Sequence, residues 1–146
     1  MKGISLALSV YAVCVVGLFL KMFALSCYQG YFRLRYLAFT NPEDAAVFKR
    51  AAQLAERPQV CRAGRAWMND LENIPLFIAL GGLAIAVAAP GTQVAWLCGV
   101  FTVARCVHTL AYLAGWQPWR TLAYGVGVLC LWVLGAMVMG QVIAAA

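Results

Sequence analysis

Four long apolar runs dominate the chain, and a membrane-spanning helix needs about 20 such residues. The first runs from Ile4 to about Tyr28, broken only by Lys21. The second is apolar only from Ile74 to Ala89, so its helix must begin earlier, in the polar stretch near Pro58. Proline suits a first helical turn, where its missing N–H would have no partner anyway. The third runs from Val94 to Leu113 and carries Arg105 and His108; the fourth runs from Thr121 to Ala146 without a charge. The pattern predicts an all-α protein, one four-transmembrane-helix bundle over residues 1–146. Its spans fall at about 4–28, 58–89, 94–113 and 120–145, with a polar loop over about 29–57. Ala24-Leu25-Ser26-Cys27 looks a little like a lipoprotein cleavage site, which would make the first run a signal peptide. Ala24 stands where a leucine is expected, however, and Lys21 lies inside the would-be apolar core. The chain shows no internal repeat and no low-complexity tract.

Composition narrows the class. Sixty-four per cent of residues are hydrophobic and only 11% charged, with a mean hydropathy of +0.82. Disorder is excluded, because it requires low hydrophobicity and high charge. A water-soluble enzyme is disfavoured, because no surface would hide so much apolar area. The net charge of +6 would suit nucleic acid, but the apolar runs make anionic lipid headgroups and an anionic substrate the better partners. Of six cysteines, Cys14, Cys98, Cys106 and Cys130 lie inside apolar stretches and read as free structural thiols. No C-x-x-C spacing occurs, so neither a zinc site nor a dithiol redox pair is signalled.

All five acidic residues and seven of the eleven basic ones lie between Gln29 and Glu72, whereas the turn Pro90-Gly91-Thr92-Gln93 has no charge. The turn before the fourth span ends at Arg120, on the same side as the long loop. The positive-inside rule puts both on the cytoplasmic side and the two termini outside.

Ionisable groups inside spans are costly and default to a functional reading. At about 100° per residue, Arg62, Arg65, Asn69 and Glu72 share one stripe about 80° wide. Arg105, His108 and Tyr112 form another, about 60° wide. Arg120 and Tyr124 stack one turn apart at the head of the last helix. Three helices thus present polar faces at one depth, and those faces are expected to meet each other. A pocket rich in cations and phenols, with one carboxylate and one amide, suits a ligand with several carboxylates and one ammonium group. Arginines grip carboxylates bidentately, and Glu72 is placed to receive the ammonium. Glutathione fits this inventory, and an arginine near its sulfur would enrich the thiolate. Taken singly, the same residues have structural readings: an Arg65–Glu72 ion pair, a His108 bonded to a carbonyl, and interfacial Tyr112 and Tyr124. Lys21 either snorkels to the cytoplasmic interface or finds a partner.

These residues also carry a resemblance. Arg62-Ala63-Gly64-Arg65-Ala66-Trp67-Met68-Asn69-Asp70-Leu71-Glu72-Asn73-Ile74-Pro75 resembles the R-x-x-R-A-x-x-N-D-x-E segment of the MAPEG superfamily, the membrane-associated proteins in eicosanoid and glutathione metabolism. Arg33-Leu34-Arg35, the run Ala38 to Ala45 (AFTNPEDA) and Arg105 to Leu113 (RCVHTLAYL) are similar to its microsomal prostaglandin E synthase branch. Gln117 to Tyr124 (QPWRTLAY) is similar to the microsomal glutathione transferases as well. The resemblance implies a four-helix protomer assembled as a homotrimer, with glutathione between neighbouring subunits. It implies that Arg65, Asn69, Glu72, His108, Tyr112 and Tyr124 hold glutathione, with Arg33 reaching in from the adjacent subunit. Arg120 would stabilise the thiolate. Thr121 occupies the position of a serine hydroxyl proposed for thiol activation, and Asp44 that of an aspartate proposed for proton transfer in isomerisation. The chain also departs from the pattern. Trp67 and Met68 stand where the prostaglandin synthases place histidine and arginine, and Cys61 replaces a glutamate. Pro75 comes one residue early, as in the leukotriene C synthases, and the loop from Tyr112 to Arg120 is one residue short.

The expected activity is therefore a membrane-bound glutathione transferase adding the thiolate to lipophilic electrophiles, or reducing lipid hydroperoxides. Its rivals are a prostaglandin-E-synthase-like isomerase, a non-enzymatic lipid-binding protein, and a small multidrug transporter. The last would need a carboxylate in the first span, where this chain has Lys21. The C-terminal Val142-Ile143-Ala144-Ala145-Ala146 carries no retrieval signal, which favours a bacterial inner membrane over the endoplasmic reticulum of a eukaryote.

Overall fold

A computed structural model describes residues 5–146; Ile4, the expected start of the first span, lies outside them. Four long helices account for most of the chain: α1 (Leu6–Tyr36), α3 (Pro58–Ala86), α4 (Gly91–Ala114) and α5 (Gln117–Ala145), with a short α2 (Pro42–Val47) between the first two. No strand occurs among the described residues. Ser5 caps α1 by accepting the Leu8 N–H at 3.3 Å. Leu37, left-handed at φ 47°, ends it, and its N–H reaches the carbonyls of Arg33 and Leu34. The helix thus continues past the apolar run and carries Arg33 and Arg35 in its last turn, where cations suit the helix dipole. Gly115, at φ 75°, ends α4 in the left-handed conformation that glycine adopts without a steric penalty.

Three helices, α1, α4 and α5, are long and apolar enough to cross a membrane. α3 is long enough, at 29 residues, but its first half carries Arg62, Arg65, Asp70 and Glu72. The packing explains how this polar helix is accommodated. α3 and α4 form a central pair, packed on each other and on both outer helices, while the backbones of α1 and α5 do not approach each other closely. The core between them is apolar: Leu18, Phe77, Val94, Cys98, Phe101 and Leu134 are fully buried, and Phe77 stacks on Phe101 with ring centroids 4.4 Å apart. The outer faces are apolar too. Val13, Phe19 and Phe23 on α1 and Leu129, Trp132 and Ile143 on α5 are exposed, as expected for surfaces solvated by lipid. Trp96 at one end of the bundle and Trp116 and Trp119 at the other are also exposed, the placement of aromatic side chains at membrane–water interfaces.

One close approach depends on glycine. A Cβ on Gly81 of α3 would sit 2.9 Å from the Tyr11 ring of α1, and that ring is fixed because its hydroxyl donates to the Ile78 carbonyl at 2.8 Å. Gly81→Ala is expected to cost about 1–3 kcal/mol through overpacking, read as a lower melting temperature in detergent. An unchanged melting temperature would show that the α1–α3 contact gives way freely.

Candidate active site

The polar half of α3 faces α1 on one side and α4 on another, and its side chains divide accordingly. Asp70 is fully buried and turned inward. Its Oδ1 accepts from Arg105 Nη2 at 2.7 Å and Nε at 3.2 Å, and its Oδ2 is paired with Lys21 Nζ. Lys21 therefore does not snorkel; it crosses from α1 to an internal carboxylate. The pairing has a simple origin, because two cations placed at mid-helix by α1 and α4 require a counter-charge at that depth. Helical spacing alone gives Asp70 no role, because it lies off the Arg62–Glu72 stripe. The signal available was charge balance: Lys21 and Arg105 are cations inside apolar runs, and α3 offers only Asp70 and Glu72 as counter-charges.

One residue earlier, Asn69 lines a cavity of about 420 Å³ with Arg65, Met68, Glu72, Cys61 and Tyr112. The carboxamide oxygen of Asn69 accepts from Arg105 Nη2 at 2.6 Å. Beneath this cavity Ala63 and Ala66 are fully buried against Leu25, and Trp67 packs on the same small cluster. Trp67 is thus a packing residue, whereas Met68 presents a thioether to the cavity. No Arg65–Glu72 ion pair forms among the described residues, so both side chains keep their charges available.

α4 and α5 add the aromatic and cationic side. His108 is buried, with its ring 5.7 Å from that of Tyr112 and 6.3 Å from that of Tyr124. The Arg120 guanidinium lies 4.6 Å from the centroid of the Tyr112 ring, a cation–π contact. Arg65, Asn69, Glu72, Tyr112, His108, Arg120 and Tyr124 therefore form one connected group. Two polar atoms at this level are buried without a partner, Arg105 Nη1 and His108 Nδ1.

The remaining candidates sit elsewhere. Thr121 follows Arg120 in the chain, but its hydroxyl donates to the Gln117 carbonyl at 3.3 Å. Asp44 is exposed in the first turn of α2, where it accepts from Asn41 Nδ2 at 3.2 Å. Arg33 pairs with Glu56 of its own chain, Nη2 to Oε1 at 2.7 Å and Nε to Oε1 at 2.9 Å. Thr40 donates to the same oxygen at 3.2 Å, which ties the segment after α2 to the end of α1. Sequence spacing gave no sign of this pair, because Glu56 lies in a segment without periodicity.

A second, larger cavity opens between α3 and α5. It measures about 870 Å³ and begins at Glu72 and Tyr124, continuing over Leu76, Leu80 and Leu83 on α3 and Val128, Trp132 and Met139 on α5. Glu72 lines both cavities. One carboxylate stands where a polar chamber meets an apolar groove.

Comparison with known proteins places this arrangement. The MAPEG family matches residues 11–140. Prostaglandin E synthase of Homo sapiens is 38% identical over 120 residues, covering 81% of this chain and 78% of that protein. The Equus caballus prostaglandin E synthase is 39% identical over 125 residues, 84% of this chain and 81% of the relative. Microsomal glutathione S-transferase 1 of Homo sapiens is 35% identical over 128 residues, 84% of this chain and 80% of the relative.

Proposed function

The chain belongs to the MAPEG family, and from that premise we propose that it is a multi-pass membrane enzyme that joins glutathione to lipid-soluble electrophiles. Reduction of lipid hydroperoxides is a related activity of the same centre. In this reading α3 is a fourth span, the working form is a homotrimer, and the site faces the cytoplasm of a bacterial inner membrane, or of the endoplasmic reticulum in a eukaryote. The observation that carries the proposal is the junction at Glu72 between a charged chamber and an apolar groove. A water-soluble peptide and an oily substrate each need a compartment of their own kind, and their reacting ends must meet.

The residues present fit glutathione. A chamber of about 420 Å³ lies within the roughly 300–1,000 Å³ typical of small-molecule sites. Arg65 offers a donor fork for a carboxylate, and Glu72 offers an acceptor for an ammonium group. Asn69, Tyr112, His108 and Tyr124 supply neutral hydrogen-bonding groups, and Arg33 serves the site of a neighbouring subunit. Bound glutathione supplies a thiol whose ionised form is the nucleophile. Arg120 contributes a permanent positive charge at the head of α5 beside Tyr112, which lowers the cost of holding an anion there. Thr121 is a secondary hydroxyl donor, available only when it leaves the Gln117 carbonyl.

A second reading is a glutathione-dependent isomerase of the prostaglandin E synthase kind, favoured by the 38% identity to a relative of that name. Asp44 would then carry a proton, although it is not among the residues that line the chamber.

The direct test is thermal unfolding of the detergent-purified protein with glutathione. Binding to the folded state must stabilise it, by about 2.7 kcal/mol at a hundred times Kd. S-methylglutathione, which has no ionisable thiol, should give a smaller shift. No shift with either compound would end the proposal.

A further inference from the structure

Arg105 is fully buried, and nothing about the chamber requires it to touch Asn69. Its Nε and Nη2 both reach Asp70 Oδ1, at 3.2 and 2.7 Å, and the Asp70 pair alone would hold the guanidinium. Yet Nη2 makes a further bond of 2.6 Å to Asn69 Oδ1. Guanidinium has donors and no acceptor, so the carboxamide must turn its oxygen towards Arg105. The half of the amide left for the chamber is then its NH2 group, a pure donor. A free asparagine would present either face to a ligand; this one presents a single face.

We propose that Arg105, held in place by Asp70 and Lys21, is a positioning residue that fixes Asn69 as an N–H donor towards a carboxylate or peptide carbonyl of the ligand. The inference rests on the glutathione reading above and adds the device that selects an acceptor group at this point of the site. Lys21 and Asp70 act through Arg105: Lys21 from α1 holds the other oxygen of the Asp70 carboxylate, and the guanidinium cannot swing away without breaking its bonds to both Asp70 and Asn69 on α3. Preorganising the donor removes the cost of turning the amide when ligand binds.

The test is a double-mutant cycle on glutathione affinity, measured by calorimetry on the full-length protein in detergent. Arg105→Lys keeps the charge but lacks the planar fork that serves Asp70 and Asn69 together. Arg105→Lys and Asn69→Ala should each weaken glutathione binding by about tenfold, the scale of one hydrogen bond to a charged group. The double variant should bind no worse than Asn69→Ala, since coupled residues are non-additive. Asn69→Asp keeps a partner for Arg105 but loses the outward donor, so it should bind glutathione at least tenfold more weakly with no fall in melting temperature. Losses that multiply in the double variant, or wild-type affinity in Arg105→Lys or Asn69→Asp, would overturn the inference. Should Arg105→Lys fail to fold, Asn69→Asp decides alone. Absence of glutathione binding by the unaltered protein would remove the enzymatic reading and this inference together, whereas binding with multiplicative losses removes only the latter.

Discussion

Replacing Arg120 with alanine is expected to cut kcat for glutathione conjugation of a chloronitrobenzene by about a hundred- to a thousandfold. In that reaction a carbon–sulfur bond forms at the ring and chloride leaves, so the charge at risk is the anionic sulfur. Arg120 is half-buried, and its guanidinium lies over the Tyr112 ring, 4.6 Å from the centroid. Burial limits screening by water, so its charge counts for more than a surface arginine's would. The fold should survive, because the substitution removes a cation–π interaction of only about 0.5–1 kcal/mol. Arg120→Lys should fall between the two proteins, keeping the charge but losing the guanidinium fork. Steady-state rates, with the melting temperature of each variant as control, check the order. A well-folded Arg120→Ala protein with undiminished turnover would take Arg120 out of the chemistry.

The largest effect on stability is expected at Asp70. Asp70→Leu leaves Lys21 and Arg105 facing each other in the bundle without a counter-charge, and breaking a buried pair this way costs about 3–5 kcal/mol. Lys21→Met should cost less, because the Asp70–Arg105 pair survives and the lysine side chain is 12% exposed. The comparison is made on melting temperatures without glutathione, so that binding does not enter. If Asp70→Leu proved the milder of the two, the inward carboxylate would not be what joins α1 to α4 through α3.

The long helices were legible because lipid-facing segments announce themselves by length and hydropathy, and because Pro58 and the turn at Pro90 mark ends that follow from backbone chemistry. The end of α1 was harder to read. Hydropathy falls at Gln29, but the helix runs on to Tyr36, since backbone hydrogen bonding does not stop where apolarity does. In the site, Arg65, Asn69 and Glu72 came together because helical spacing alone puts these α3 residues on one face, along one cavity. What spacing could not convey was pairing between helices. Lys21, Asp70 and Arg105 are 49 and 35 residues apart in the chain, and their meeting depends on how three rods are packed. Arg33 illustrates the same limit: its motif points to a ligand, while its guanidinium is engaged by Glu56 of the same chain.

The shared carboxylate of Glu72 has a last consequence. In the proposed function one doorway would lie in water and the other in oil, so the two reactants would not compete for a route inward. Their union would be a different matter, an amphiphile with a charged head in the chamber and a tail in the groove. Such a product would have to peel away sideways, as a surfactant leaves a micelle. Turnover under the proposed function is therefore expected to fall as the substrate's tail lengthens, which rates over a homologous series of electrophiles would check.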